Sequence, residues 1–267
     1  MDVIDTGTEQ LLCDVDEGIA LVTFNNPTKH NALSSPIRDA LPRVLRTLQA
    51  NDDVRVVVLT GAGEKAFVSG ADISEFGTQR TTPEARAAFD AGQVDGARAW
   101  IELEKPILAM IRGYCIGGGL LTALQADIRI CSDDSQFGVP AARLGLGYGF
   151  GGVDQLMQLV GPSWASEILF SARQLSAAEA LHVGLVNRVV PSGTLRGEVW
   201  SLADAIRDNA PLTVRSLKVA IREARRDPSK RDLELVASLV EACFRSEDYR
   251  EGQTAFMEKR PPAFRGR

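Results

Sequence analysis

The sequence predicts an α/β protein, with a mainly parallel sheet and helical crossovers over residues 1–191 and a helical section over 192–267. Three observations carry that prediction. Short apolar runs of strand length alternate with segments of helical periodicity through the first part of the chain, the pattern of strand–crossover–strand units. From Ser192 onward the strand signal stops, and residues 195–208, 211–226 and 231–246 all read as amphipathic helices. The turns between are rich in glycine, and their spacing matches no solenoid repeat.

Residues 11–24 end in Ile-Ala-Leu-Val-Thr-Phe, a run of strand formers. The turn-rich stretch 25–33 follows. Ser35 and Pro36 then open a helix whose apolar stripe is Leu41, Val44, Leu45 and Leu48. Pro42 falls inside that stripe, which predicts a kink or a late start. A buried strand is expected over 54–60. Residues 64–73 are too small and glycine-rich to predict a regular element, and a long helix is expected over 83–104. A short strand is predicted over 127–131. Residues 137–153 carry six glycines and read as a loop shaped around something, with helices at 153–160 and 163–172 after it. Ser176 and Glu179 have capping-box spacing, Gly184 reads as a helix stop, and 186–190 as a last strand.

The most informative stretch lies at 106–131. The apolar run Ile107 to Ile111 reads as a buried strand between Pro106 and Gly113, and Gly117, Gly118 and Gly119 then open a helical run from Leu120 to Gln125. Side-chain-free backbone at a helix start leaves N–H groups unpaired, at the positive end of the helix dipole. Such a turn can hold a phosphate, or an oxygen that gains negative charge during a reaction. It can also be a tight turn with no ligand.

Bulk properties exclude several classes. With 45% apolar and 24% charged residues and mixed signs along the chain, the net charge of −5 argues against a nucleic-acid footprint. The start, Met-Asp-Val-Ile-Asp-Thr, lacks the basic and apolar regions of a signal peptide. No apolar run reaches the roughly 18 residues of a membrane helix. Cys13, Cys115, Cys131 and Cys243 are far apart and form no CxxC pair, so they read as reduced thiols of a cytoplasmic protein. With only His30 and His182 present, no histidine metal site is expected.

Taken together, the chain resembles the crotonase superfamily, the enoyl-CoA hydratase/isomerase family. The likeness rests on Pro27…Asn31-Ala32-Leu33, Ala66-Phe67…Gly70-Ala71-Asp72-Ile73, Gly113-Tyr114…Gly117-Gly118-Gly119 and Phe137-Gly138-Val139-Pro140…Leu144-Gly145. It continues through Gly151-Gly152, Ala177-Ala178-Glu179-Ala180…Gly184-Leu185-Val186-Asn187 and Phe256…Glu258-Lys259-Arg260. The resemblance implies a spiral of ββα units, with a C-terminal helical section that forms homotrimers or a dimer of trimers. It implies an acyl-CoA substrate, no cofactor beyond that coenzyme A moiety, and an oxyanion hole made by the N–H groups of Ala71 and Gly118. Each such donor would be worth roughly 3–4 kcal/mol to an enolate-like oxygen. By the same resemblance Lys29, Ala32, Ala66, Ser69, Asp72 and Ile73 lie on the CoA side, and Lys259 reaches CoA phosphates across a subunit boundary. Tyr114, Ile116, Pro140 and Leu144 line the acyl side.

Hydratases of that family use two glutamates, one to protonate carbon and one to activate water. Their positions here hold Leu121 and Ala141, neither of which transfers a proton or orients a water. Ordinary enoyl-CoA hydration is therefore not the expected reaction. Tyr148 and Asp154, in and after the glycine loop, are the substitute candidates, against a packing role for Tyr148 and a helix-start role for Asp154; Arg143 reads as a structural ion pair or as a partner for a substrate carboxylate. Three functions stay open: a hydratase- or isomerase-type enzyme with another proton donor, a decarboxylase or hydrolase relying on enolate stabilisation, and an acyl-CoA-binding protein without turnover. A serine protease is not supported, because no GxSxG elbow is present, and Gly113-x-x-x-Gly117-Gly118-Gly119 is not a dinucleotide fingerprint.

Overall fold

The computed structural model describes residues 1–75 and 82–267. Along the chain its strands are β1 (Asp2–Val3), β2 (Leu11–Asp16), β3 (Ile19–Phe24), β4 (Val56–Gly61), β5 (Ala66–Val68) and β6 (Ile107–Ile111). They continue with β7 (Tyr114–Ile116), β8 (Ile128–Ser132), β9 (Gln136–Gly138), β10 (Leu175–Ser176) and β11 (Arg188–Val190). Among the described residues they form a larger sheet in the order β1-β2-β3-β4-β6-β8-β11 and a smaller one in the order β10-β9-β7-β5. From β3 to β11 the larger sheet is parallel, and β5, β7 and β9 are parallel to one another.

The chain alternates between the sheets and then crosses over. The strands β4 and β5 precede helix Pro83–Glu102, β6 and β7 precede Gly118–Leu124, and β8 and β9 precede Phe150–Ser171. Each turn of this spiral thus adds one strand to each sheet and one helix outside. All five residues of β6 are buried, as expected for a strand with both faces covered. One apolar cluster fills the space between the sheets and the outer helices. A second lies on the other face of the larger sheet, where Leu195, Val199 and Ala203 of helix Leu195–Arg207 pack on Val56, Val58, Leu108 and Ile130. The first helix after residue 191 is therefore part of the body's packing, and the change of character in the sequence marks where strands end.

Several local expectations need correction. Residues 11–24 are a two-stranded antiparallel hairpin turning at Glu17-Gly18, both with positive φ. Helix Ser35–Ala50 runs through Pro42 without a late start; Ile37 and Ala40 before it and Val44, Leu45 and Leu48 after it are all buried. That apolar packing outweighs the one helical hydrogen bond a proline removes. Residues 64–73 do hold regular structure, the three-residue β5 and a 3-10 turn at Ile73–Glu75. The supposed loop 137–153 contains the end of β9, a 3-10 turn at Pro140–Leu144 and the start of Phe150–Ser171. The two expected helices are both present, the first starting earlier, at Phe150, and the break between them falling at Gly161 (φ +77°) before Pro162. A further helix, Glu247–Glu258, follows the three expected at the C-terminal end. The Ser176–Glu179 capping box forms in both directions, and Gly184 (φ +77°) follows the helix end.

Candidate active site

Two neighbouring parallel strands of the smaller sheet, β5 and β7, set the site. Just past their C-terminal ends lie Ser69-Gly70-Ala71 and Gly117-Gly118, the place where parallel α/β sheets generally receive ligands. Glycine is required in both turns. Gly70 has φ +117°, and Gly117, the residue before the helix, has φ +56° and ψ −116°. These turns bring the Ala71 and Gly118 nitrogens together: a Cβ built on Gly118 would lie 3.5 Å from the Ala71 nitrogen, and one on Gly70 would lie 3.9 Å from the Gly118 nitrogen. Neither N–H donates to a protein acceptor among the described residues. Gly119 has another task. A Cβ there would stand 1.9 Å from the Val68 carbonyl oxygen, so its absence lets the helix start press against β5.

The Ala71 turn is held from two sides. Leu33 bridges it in parallel fashion, donating its N–H to Gly70 O at 2.7 Å, while the Asp72 N–H donates to Leu33 O at 3.1 Å. Asn31, fully buried with φ +58°, anchors the preceding segment. Its Nδ2 donates to Ala62 O (2.9 Å) and Ala66 O (2.7 Å), and its Oδ1 accepts from the Asn26 N–H (3.0 Å). Asn31 and Leu33 stand in the sequence only as parts of a motif. The signal that marks Asn31 is a side chain suited to left-handed backbone and able to mimic a turn.

Asp72 is a holding group. Its Oδ2 accepts from Lys29 Nζ at 2.7 Å, and its Oδ1 from the Ser74 hydroxyl at 2.6 Å and N–H at 3.1 Å. Lys29, and after it Ser74, keep the Asp72 carboxyl below its usual value. Glu75 binds the N–H and hydroxyl of Ser35 and pairs with Arg38, tying this turn to the first helix. Ser69 donates to Lys29 O through its hydroxyl (3.2 Å) and to His30 O through its N–H (3.1 Å). Lys29, Ser69 and Asp72 are thereby tied to one another around the Ala71 turn, with Ala32 and Ala66 buried and Ile73 exposed.

On the other side the Gly117 N–H donates to Gly138 O at 2.7 Å, and a Cβ on Gly117 would lie 3.8 Å from Pro140 Cδ. This places the Pro140–Leu144 turn beside the donors, with Ala141 buried and Leu144 exposed. Tyr114 is half-exposed, its ring 6.3 Å from that of His30. Ile116 is half-buried in β7. Leu121 and Tyr148 converge over Gly152, where a Cβ would meet Leu121 Cδ2 at 2.8 Å and Tyr148 Cε1 at 3.2 Å. The Tyr148 hydroxyl reaches Gly117 O at 3.5 Å, and burial pushes its pKa up, so it stays a neutral donor.

Two predicted residues are not brought into this group. Asp154 accepts from Gln158 Nε2 at 2.7 Å, and Gln158 in turn accepts from Arg225, so that carboxylate belongs to a surface link between two helices. Lys259 is an exposed left-handed residue ending helix Glu247–Glu258, and no hydrogen bond or ion pair among the described residues joins it to the site. Among the described residues no helix is long and apolar enough to cross a membrane, and no group of three or more His, Cys, Asp or Glu is placed to hold a metal ion.

Two backbone N–H groups meet at neighbouring strand ends in a spiral of strand–strand–helix units, an arrangement able to donate to a single oxygen. Comparison with known proteins makes the reading particular. The enoyl-CoA hydratase/isomerase family profile matches residues 14–267. A short-chain-enoyl-CoA hydratase of Clostridium acetobutylicum is 39% identical over 242 residues, 91% of this chain and 92% of that protein. A crotonyl-CoA hydratase of Syntrophomonas wolfei is 37% identical, covering 96% and 98%. The crystal structure of an enoyl-CoA hydratase/carnithine racemase from Magnetospirillum magneticum superposes with a TM-score of 0.90 at 35% identity, covering 97% of each chain. The chain belongs to the enoyl-CoA hydratase/isomerase family.

Proposed function

We propose that this enzyme acts on acyl-CoA thioesters by holding the thioester oxygen between the Ala71 and Gly118 N–H groups while an enolate forms, and that its reaction does not rely on a pair of carboxylates. The observation that carries this reading is the approach of the Ala71 and Gly118 N–H groups, neither bonded to a protein acceptor among the described residues, with Pro140 next to Gly117 and aliphatic side chains at 121 and 141. Such donors favour the charge that develops on the oxygen, each worth roughly 3–4 kcal/mol in a dry site. Two similar proteins are named hydratases, which supports the substrate class. The aliphatic side chains at 121 and 141 argue that plain hydration of short enoyl-CoAs is not the main activity.

The same aliphatic side chains suit a hydrophobic acyl group, and no cofactor beyond the CoA moiety enters the reading. The protein would work in the cytoplasm as a homotrimer or dimer of trimers. In one copy Leu217, Ile221, Val240 and Phe244 stand exposed on the C-terminal helices, which supports contact between copies there. Lys259 would then approach CoA from a neighbouring subunit. The test is a panel of CoA thioesters, scored for binding and for loss of the conjugated thioester absorbance, alongside the Leu121→Glu/Ala141→Glu double variant. Turnover of no thioester, with binding intact, would favour an acyl-CoA-binding protein. Release of CoA or of carbon dioxide from a β-dicarbonyl thioester would favour a hydrolase or decarboxylase.

A further inference from the structure

The geometry points to Tyr148 as a positioning residue that strengthens the Gly118 donor through the peptide it shares with Gly117, and not as the group that moves the proton. This deepens the acyl-CoA reading above and rests on it. The Gly117 carbonyl and the Gly118 N–H belong to one peptide unit, and no peptide bond among the described residues is cis. In a trans peptide the C=O and N–H point to opposite sides. The Tyr148 hydroxyl approaches the carbonyl, at 3.5 Å, and therefore stands on the face of the peptide away from any oxygen held by the N–H. From there it cannot reach a substrate carbon bonded to that oxygen's carbonyl without leaving its own contact.

What it can do is polarise the peptide. Gly117 O also accepts the Leu121 N–H at 3.1 Å, so both lone-pair directions of this carbonyl receive a donor. Hydrogen bonding at the oxygen draws electron density from the nitrogen and makes the N–H a better donor, an effect that grows where water is excluded. Leu121 and Tyr148 are both partly buried on this side. They pack over Gly152, where a Cβ would have to displace the ends of both side chains. Burial keeps the phenol protonated, so its donor role does not fade as pH rises through neutrality. Leu121, at the position where a carboxylate would stand in a hydratase, supplies the apolar cover for the phenol ring.

The test uses Tyr148→Phe and a chromophoric thioester, a dimethylamino-substituted cinnamoyl-CoA, whose absorption moves to longer wavelength when its carbonyl is polarised. The expected result has three parts. The unmodified protein shifts the bound spectrum to the red, Tyr148→Phe shifts it less, and both bind free CoA equally. Any thioester the protein turns over should lose about three- to tenfold in kcat with KM unchanged, the size of one modest hydrogen bond. An identical red shift in the variant would overturn the inference while leaving the acyl-CoA reading intact. Complete loss of turnover with an unchanged spectrum would make Tyr148 a proton-transfer residue and also overturn it. Failure of the unmodified protein to bind the thioester would remove the acyl-CoA reading and this inference together.

Discussion

A methyl group placed on Gly118 would lie 3.5 Å from the backbone nitrogen of Ala71, which puts the two donors of the candidate site side by side although 47 residues separate them in the chain. The same methyl would lie 3.4 Å from Leu33 Cδ1, an ordinary contact. Gly118→Ala is thus expected to fold and to bind free CoA, while the methyl crowds the space between the donors. Turnover of a thioester substrate should fall by about 10²–10³, the loss typical of one oxyanion donor. Steady-state kinetics beside a CoA titration checks this.

The adjacent glycine should behave oppositely. Gly119→Ala brings a Cβ within 1.9 Å of the Val68 carbonyl oxygen, a backbone atom that cannot step aside. The expected cost is about 3 kcal/mol or more of stability, and denaturant unfolding or loss of soluble yield would report it. A variant as stable as the parent would show that the helix start does not rest on β5 as described.

Asn31→Ala should destabilise by about 3 kcal/mol, because it removes the partner of the buried Ala66 carbonyl and of the partly buried Asn26 and Ala62 backbone groups and asks alanine to hold φ +58°. Asn31→Gly, which relieves the backbone but not the hydrogen bonds, should recover only part of the loss. Thermal melts of both variants separate the two causes.

Asp72 carries a pH signature. Lys29 and Ser74 hold its folded-state carboxyl below the unfolded value of 3.8, so between those values the unfolded chain binds more protons. Its contribution to stability is therefore complete above about pH 4 and disappears as pH falls through the lower folded value. Asp72→Asn should lower the neutral melting temperature by about 2–5 °C, and the gap from the parent should close in strong acid. A gap that stays constant down to low pH would mean the ion pair with Lys29 is not its source.

Much of this was legible in the residues themselves. Apolar runs such as Ile107 to Ile111 and the Ser176–Glu179 box announce their own elements, since burial and capping are local. The rest depends on partners far along the chain. The strand Ala66–Val68 has three residues and no periodicity of its own; it exists because β7 pairs with it. Pro42 breaks a rule of isolated helices that a buried face overrides. At the site, the glycines that need positive φ were visible. The holding roles of Asn31, Leu33 and Glu75 were not, because each acts on backbone or side chains roughly 30–40 residues away. Asp154 reads from the sequence both as a helix-start carboxylate and as a proton-donor candidate, and its carboxylate accepts from Gln158 one turn further along the same helix.

The decisive measurement follows the conjugated thioester absorbance of crotonyl-CoA and longer enoyl-CoAs with the purified protein and with the Leu121→Glu/Ala141→Glu variant. The expected outcome is a bound, red-shifted thioester without prompt hydration by the unmodified protein, and hydration gained by the variant. Prompt hydration by the unmodified protein would contradict the reading that Leu121 and Ala141 rule out plain hydration, and no thioester binding at all would contradict an oxyanion site at Ala71 and Gly118.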